Sequence, residues 1–327
     1  MEKAFELFIA DEGENHSEAW AKLLLPASPC ELLDAVERAQ VTAERPVYLE
    51  IQKYALGMEG LKPYIGVERN LSALYAFNAL AEKLVTLDDT QRLVLAECLR
   101  DEENGGPVPL PRIYDLAAGD EAFQCLDLTP PEPDYTALLE LWTGQRADAK
   151  PVTLKLPVTL EEIGAVRETV GAGSLSEIEY RCLDCLVPAL IKPMTAAKEL
   201  LLVNTAAHML TSTPKERLTR YKALLEAMGF MPLWDALNLF DTLDEYTLEP
   251  DIRCPEDAGR KELHLIISSP EVEKVLPHVN LLTYGQQTLE QYHMVLTGYG
   301  GFCRVDGKPF RKRPCPDSGN PDSGGIT

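Results

Sequence analysis

No apolar run in this sequence approaches the ~18 residues that a membrane-spanning helix needs, so no membrane association is expected. The opening residues, MEKAFELFIADEGE, turn acidic almost at once. That is the wrong charge for a signal or transit peptide, and the chain reads as cytoplasmic. The eight cysteines (Cys30, Cys98, Cys125, Cys182, Cys185, Cys254, Cys303 and Cys315) are scattered, without the spacing of a disulfide framework. Only Cys182 and Cys185 form a CxxC pair, and no second CxxC or histidine pair lies near enough to complete a four-ligand zinc site. They read as free buried thiols.

Histidine is scarce as well. His16, His208, His264, His278 and His293 show neither HExxH nor any other ligand spacing. GYGGF, residues 298–302, lacks both a following P-loop lysine and a GxGxxG pattern, and reads as a turn between strands. The Asp88-Asp89 pair has no oxygen-ligand loop around it. No catalytic residue, metal or cofactor is expected, and the chain is not read as an enzyme.

Basic residues are the most informative shortage. The chain has 327 residues, with 52 acids against 31 bases, a net charge of −21. The imbalance is uneven. Residues 1–150 hold 28 acids and 13 bases, and residues 151–327 hold 24 and 18. Such a field repels nucleic acid and attracts basic surfaces. A direct nucleic-acid partner is therefore not expected, whereas a basic protein is.

What the chain does contain is a repeat. LYAFNALAEKL, residues 74–84, is echoed by LLLVNTAAHML, residues 200–210, with Leu74/Leu200, Asn78/Asn204, Ala81/Ala207 and Leu84/Leu210 at matched spacings. On a helix, Leu74, Phe77, Ala81 and Leu84 make one apolar stripe, with Asn78 on its edge. A buried amide must be hydrogen-bonded, so both asparagines read as structural, bonding to backbone in the adjoining layer. His208 stands where the first copy has Glu82, so the repeated unit does not require a histidine there.

Upstream, each copy has an apolar strand end, then Pro26 or Pro157, then a capping-box pattern, Ser28 with Glu31 and Thr159 with Glu162. Strand patterns follow at residues 47–51 and 178–183. Lys62-Pro63 matches Lys192-Pro193, and Pro109-Leu110 matches Pro232-Leu233.

The expected class is α+β: an elongated multi-domain chain with two tandem related α+β units and a smaller C-terminal α+β portion. Its expected divisions are residues 1–128, a first unit with its N-terminal strand; 129–152, a proline-containing linker with a short helix at 135–142; 153–250, the second unit; and 251–310, the C-terminal portion. This last part has a strand-like run, LHLII, at 263–267 and a helix starting at Ser269-Pro270-Glu271. The polar tail, 311–327, reads as disordered.

Several stretches together resemble the ArdA antirestriction family: AFELFIADEGEN and EAWAKLLLP near the start, SPCELLDAVERA, NLSALYAFNALAEKL, LWDALNLFDTLDEYTLEPDI and the late YGQQTLEQYHMVLTGYGGF. The resemblance rests on order and spacing and covers most of the chain. It implies an acidic, modular, dimeric protein that mimics B-form DNA and occupies the DNA-binding groove of type I restriction–modification enzymes. Incoming mobile-element DNA is thereby protected. The internal duplication and the weaker acidity of the second half depart from the family pattern. A homodimer, if formed, is expected through that less acidic half. The charge alone fits a second class equally well, an acidic module inhibiting another basic nucleic-acid-binding protein such as a CRISPR effector.

A phosphate mimic needs rows of exposed carboxylates with few bases among them. Two segments qualify along the chain: Asp88, Asp89, Asp101, Glu102, Glu103, Asp115, Asp120 and Glu121; and Asp241, Asp244, Glu245, Glu249, Asp251, Glu256 and Asp257, interrupted only by Arg253. A net of −21 corresponds to the charge on roughly 36 Å of duplex.

Overall fold

The first core is built on a three-stranded antiparallel sheet ordered β2-β1-β3: β1 (Phe5–Asp11), β2 (Trp20–Leu25) and β3 (Val47–Tyr54). These elements come from a computed structural model describing residues 2–12, 19–103, 107–119, 122–143, 151–267 and 269–310. Phe5, Leu7 and Ile9 alternate along β1 and bury on one face. Helix α1 (Pro29–Ala39) links β2 to β3. Its capping box is formed as the sequence implies: the Glu31 amide donates to Ser28 Oγ, and the Ser28 amide to Glu31 Oε2. Three helices close the unit, α2 (Ser72–Leu84), α3 (Asp89–Glu103) and α4 (Leu110–Ala118).

The same plan recurs. A second sheet is ordered β5-β4-β6, from β4 (Ala137–Thr143), β5 (Val152–Leu156) and β6 (Ile178–Cys185), with α5 (Leu160–Val170) between β5 and β6. Then come α6 (Ile191–Ala196), α7 (Leu200–Thr211), α8 (Lys215–Met228) and α9 (Leu233–Phe240). The middle strands even break register at the same place. Phe5 faces Leu25 and Ala137 faces Leu156, and the pairing slips between Glu6 and Leu7 in one sheet and between Leu138 and Leu139 in the other. An extra residue on one strand produces such a slip, and here both sheets carry it at the equivalent position.

A third sheet, ordered β7-β9-β8, comprises β7 (Tyr246–Glu249), β8 (Val295–Thr297) and β9 (Gly300–Arg304). Between β7 and β8 run α10 (Pro255–Ile266), α11 (Ser269–Val275) and α12 (Leu281–Gln291). Helices α10 and α12 touch backbone to backbone, and a side chain on Gly285 would run into the Pro255 carbonyl. Twelve α-helices and three antiparallel sheets among the described residues make the chain α+β.

Three local expectations are corrected. Residues 135–142 hold no helix; β4 runs through them as the middle strand of the second sheet, because Ala137, Leu139 and Leu141 are all fully buried at a period of two. The linker therefore stops short of Ala137 rather than reaching 152. LHLII lies in α10, not in a strand: Leu263 is buried while Leu265 and Ile266 are exposed. The C-terminal portion, 251–310, is joined to the second unit: β9 pairs with β7, and Phe302 stacks on Tyr246 within the second core. The tail, 311–327, lies outside the described residues.

The repeated asparagine now has a reason. Asn78 Oδ1 accepts from the amide of Ala27 at 2.7 Å, and Asn204 Oδ1 accepts from the amide of Val158 at 2.9 Å. Those are the residues just after Pro26 and Pro157, where the chain leaves the edge strand for its helix. Asn204 also donates to the Val158 carbonyl at 2.8 Å. Replacing Asn204 by alanine strands both groups, and is expected to cost about 1–3 kcal/mol in urea unfolding. Asn204→Asp restores the acceptor but not the donor and should recover only part of it. A loss below about 0.5 kcal/mol for the alanine variant would remove this role.

Candidate acidic interface

The acids proposed as a phosphate mimic fall into groups once folded. Asp88 and Asp89 open α3, and the Gln91 amide donates to Asp88 Oδ1 at 2.8 Å while the Asp88 amide donates to Gln91 Oε1. Asp88 is therefore a helix cap, although it stays exposed. Asp89 is exposed too, 3.5 Å from Arg92 one turn on. Both sit at the positive end of the helix dipole, so helix stability alone accounts for them.

The far end of α3 differs. Asp101, Glu102 and Glu103 occupy its last turn, where the dipole disfavours negative charge. Asp101 is largely exposed and only loosely paired, 3.8 Å from Arg100. The side chains of Glu102 and Glu103 fall outside the described residues, as do Asp120 and Glu121 entirely. Asp115 is half-buried on α4, and its Oδ1 accepts from the Phe123 amide at 2.6 Å, tying down the turn after the helix. It has a structural task.

Three of the seven acids in the second row are paired with bases. Asp244 pairs with Arg217 at 2.8 Å, Glu245 with Arg304 at 3.2 Å and Glu249 with Lys261 at 2.5 Å. Asp257 Oδ2 accepts from the amides of Arg253 and Cys254 at the start of α10. Asp241 and Asp251 are exposed and Glu256 is half-buried, and no base lies within ion-pair distance of these three among the described residues. Counting bases along the chain missed Arg217, Lys261 and Arg304, which reach these acids only through the fold. Arg253, the one interruption visible in the sequence, instead directs its guanidinium at the carbonyls of Pro250, Arg38 and Gly298.

One exposed acid was overlooked. Glu97 lies between Asp89 and Asp101 at four-residue spacing, so the three share a face of α3 with the exposed Leu93. That face runs ~18 Å from Asp89 to Asp101. The helical period would have found it; attention to consecutive acids did not. Other acids are withdrawn from the surface. Asp34 and Asp184 are buried and hydrogen-bonded within the protein.

The CxxC thiols are buried on β6, and burial pushes Cys182 up to about 12, which makes them poor thiolate ligands. Among the described residues no cluster of histidine, cysteine and carboxylate side chains is arranged to hold a metal. No described helix is long and apolar enough to cross a membrane. No known family model matches this chain, and no curated protein matches it closely enough to count as a relative.

Proposed function

We propose that this protein is a DNA mimic of the ArdA kind, which blocks type I restriction–modification enzymes by occupying their basic DNA-binding groove. The observation that carries the reading is the end of α3. Three consecutive acids stand where the helix dipole opposes them, on a helix whose exposed face already bears Asp89 and Glu97. Charge retained against local stability points to a role in binding. The net charge of −21 supports the same reading, as does the resemblance in order and spacing to the antirestriction family.

The mimicry is assigned to the open carboxylates, those exposed and held by a base loosely or not at all. These are Asp89 and Asp101, 3.5 Å and 3.8 Å from Arg92 and Arg100, and Asp88, Glu97, Asp241 and Asp251, which have no base within ion-pair distance among the described residues. For a homodimer, the exposed Leu265, Ile266, Leu282 and Tyr292 on α10 and α12 and in the turn after α12 supply apolar ground in the less acidic half.

Competition is the direct test. Added to a purified type I methyltransferase bound to a short labelled duplex, the protein should displace the DNA. Displacement should weaken steeply as salt rises, because a carboxylate array facing a basic groove is governed by screened charge. No displacement at low salt would refute the target. Displacement of DNA from a CRISPR effector but not from the methyltransferase would transfer the mimicry to that second class.

A further inference from the structure

The first unit is fastened to the second by a cluster of charges buried between them. Lys222, on α8, lies 2.8 Å from Asp34 and 2.7 Å from Glu37, both on α1, and Lys222 and Asp34 are almost fully buried. Asp34 also accepts from Tyr299 Oη at 2.8 Å and pairs with Arg38 at 2.9 Å. Arg38 stacks on the Tyr299 ring at 4.5 Å and reaches Glu226 of α8 at 3.0 Å. Beyond the helix, Arg253 donates to the Arg38 carbonyl and Gln40 to the Pro250 carbonyl. At the other end of α1, Asp184 of β6 accepts from Ser28 Oγ at 2.6 Å and from the Cys30 amide at 3.2 Å. The second unit thus caps the first unit's helix at its positive end.

Most of these positions differ between the copies, although Glu37 keeps its counterpart in Glu168. Counted from Ser28 and Thr159, Asp34 and Arg38 correspond to Ala165 and Thr169 in α5. Counted from Val47 and Ile178, Asp184 corresponds to Lys53. Counted from Asp88 and Pro214, Lys222 and Glu226 correspond to Ala96 and Arg100. Outside this junction the copies keep their shared sheet order, caps and asparagines.

We infer that Lys222 and the charges around it form an orientation lock, which makes the tandem one body rather than two units on a flexible tether. A buried ion-pair cluster contributes less to stability than a well-packed apolar patch of the same size, but it tolerates few alternative alignments. Burial disfavours the Lys222 ammonium, but Asp34 and Glu37 outweigh it and raise its pKa above the ordinary lysine value. The lysine is held charged. With Lys222 and Asp34 almost fully buried at its centre, the lock should not loosen at salt concentrations that erase surface electrostatics.

Two variants test this: Lys222→Met, which strands Asp34 and Glu37, and a charge-free triple, with Asp34→Leu and Glu37→Gln on α1 and Lys222→Met on α8. For Lys222→Met, protease should cut the segment between Leu128 and Tyr135, where Thr129, Glu132 and Asp134 are exposed, about tenfold faster or more, as the open population rises. Wild type should melt in a single calorimetric transition and Lys222→Met in two. The charge-free triple should melt close to wild type, yet still show accelerated cleavage and a larger radius of gyration by small-angle scattering. A charge-free triple with wild-type cleavage and wild-type scattering would overturn the lock, since apolar packing would then suffice. If Lys222→Met fails to fold, the charge-free triple and wild type still decide the matter. Wild type should scatter as one body both at low salt and at about 1 M, where the screening length is ~3 Å. Scattering from two independently moving units at either salt would also overturn it.

Discussion

Replacing Asp184 by leucine is expected to destabilise the protein by about 3 kcal/mol or more, a large share of the ~5–15 kcal/mol that typically holds a folded chain together. Its carboxylate is almost fully buried and accepts from four donors: Ser28 Oγ at 2.6 Å, Tyr135 Oη at 2.8 Å, the Cys185 amide at 2.9 Å and the Cys30 amide at 3.2 Å. Cys185 belongs to the second unit, Tyr135 to the segment leading into β4, and the other two to the start of α1 in the first unit. Leucine leaves all four facing an apolar side chain. The two hydroxyls can turn toward other acceptors, but the two amides are fixed by the backbone.

Asp184→Asn keeps one acceptor and brings its own NH2 toward groups that already donate, so its loss should fall between leucine and wild type. Asp244→Asn, which breaks an exposed pair with Arg217, should change stability by no more than ~1 kcal/mol. Urea unfolding of the three variants, followed by tryptophan fluorescence and by circular dichroism, checks the ranking. If Asp184→Leu proved no worse than Asp244→Asn, the four hydrogen bonds would contribute nothing net. The idea that β6 caps α1 would then fail.

The sequence foretold more of the fold than of the junction. Capping boxes, the leucine–asparagine helices, strands β3 and β6 and the β8–β9 turn are local patterns, and local patterns survive into the structure. Strand β4 was missed because ALLELW also fits a short helix when no partner strand is in view; only its neighbours in the sheet settle the period. Asp34, Asp184 and Lys222 carry no local signature at all. Each looks like an ordinary surface charge until distant segments meet around it. A comparison of the two copies does single them out, since charges at three positions stand where the other copy has Ala165, Lys53 and Ala96.

The same limit applied to the acidic rows. Linear spacing identifies carboxylates but not the bases that fold against them. This is why Asp244, Glu245 and Glu249 looked open and are paired.

Neutralising the open carboxylates together should weaken binding to a type I enzyme roughly a hundredfold at low salt, if six contacts contribute about 0.5 kcal/mol each. The set is Asp88→Asn, Asp89→Asn, Glu97→Gln, Asp101→Asn, Asp241→Asn and Asp251→Asn. Asparagine at 88 preserves the cap on α3, so folding should survive. Asp101 opposes the helix dipole, so its neutralisation should leave stability unchanged or slightly higher. Each phosphate-like contact removes about 0.9 from the slope of log affinity against log salt, so the sixfold variant should show a visibly flatter salt dependence. Any one of the six changes alone should be nearly silent.

The contrast is a matched variant in the paired set, with Asp115, Asp244, Glu245, Glu249 and Asp257 each made amide. It removes a similar amount of charge, but from groups held within 3.2 Å of a base or half-buried against a backbone amide. Its thermal stability should fall, while affinity per folded molecule and the salt slope stay near wild type. Equal losses of affinity in both variants would mean that net charge alone drives binding, with no particular surface involved. Unchanged affinity in the open-set variant would show that α3 and the acids flanking β7 face away from the target. A large loss from one carboxylate would replace DNA mimicry with a conventional hot spot, because a phosphate array spreads its binding energy over many weak contacts.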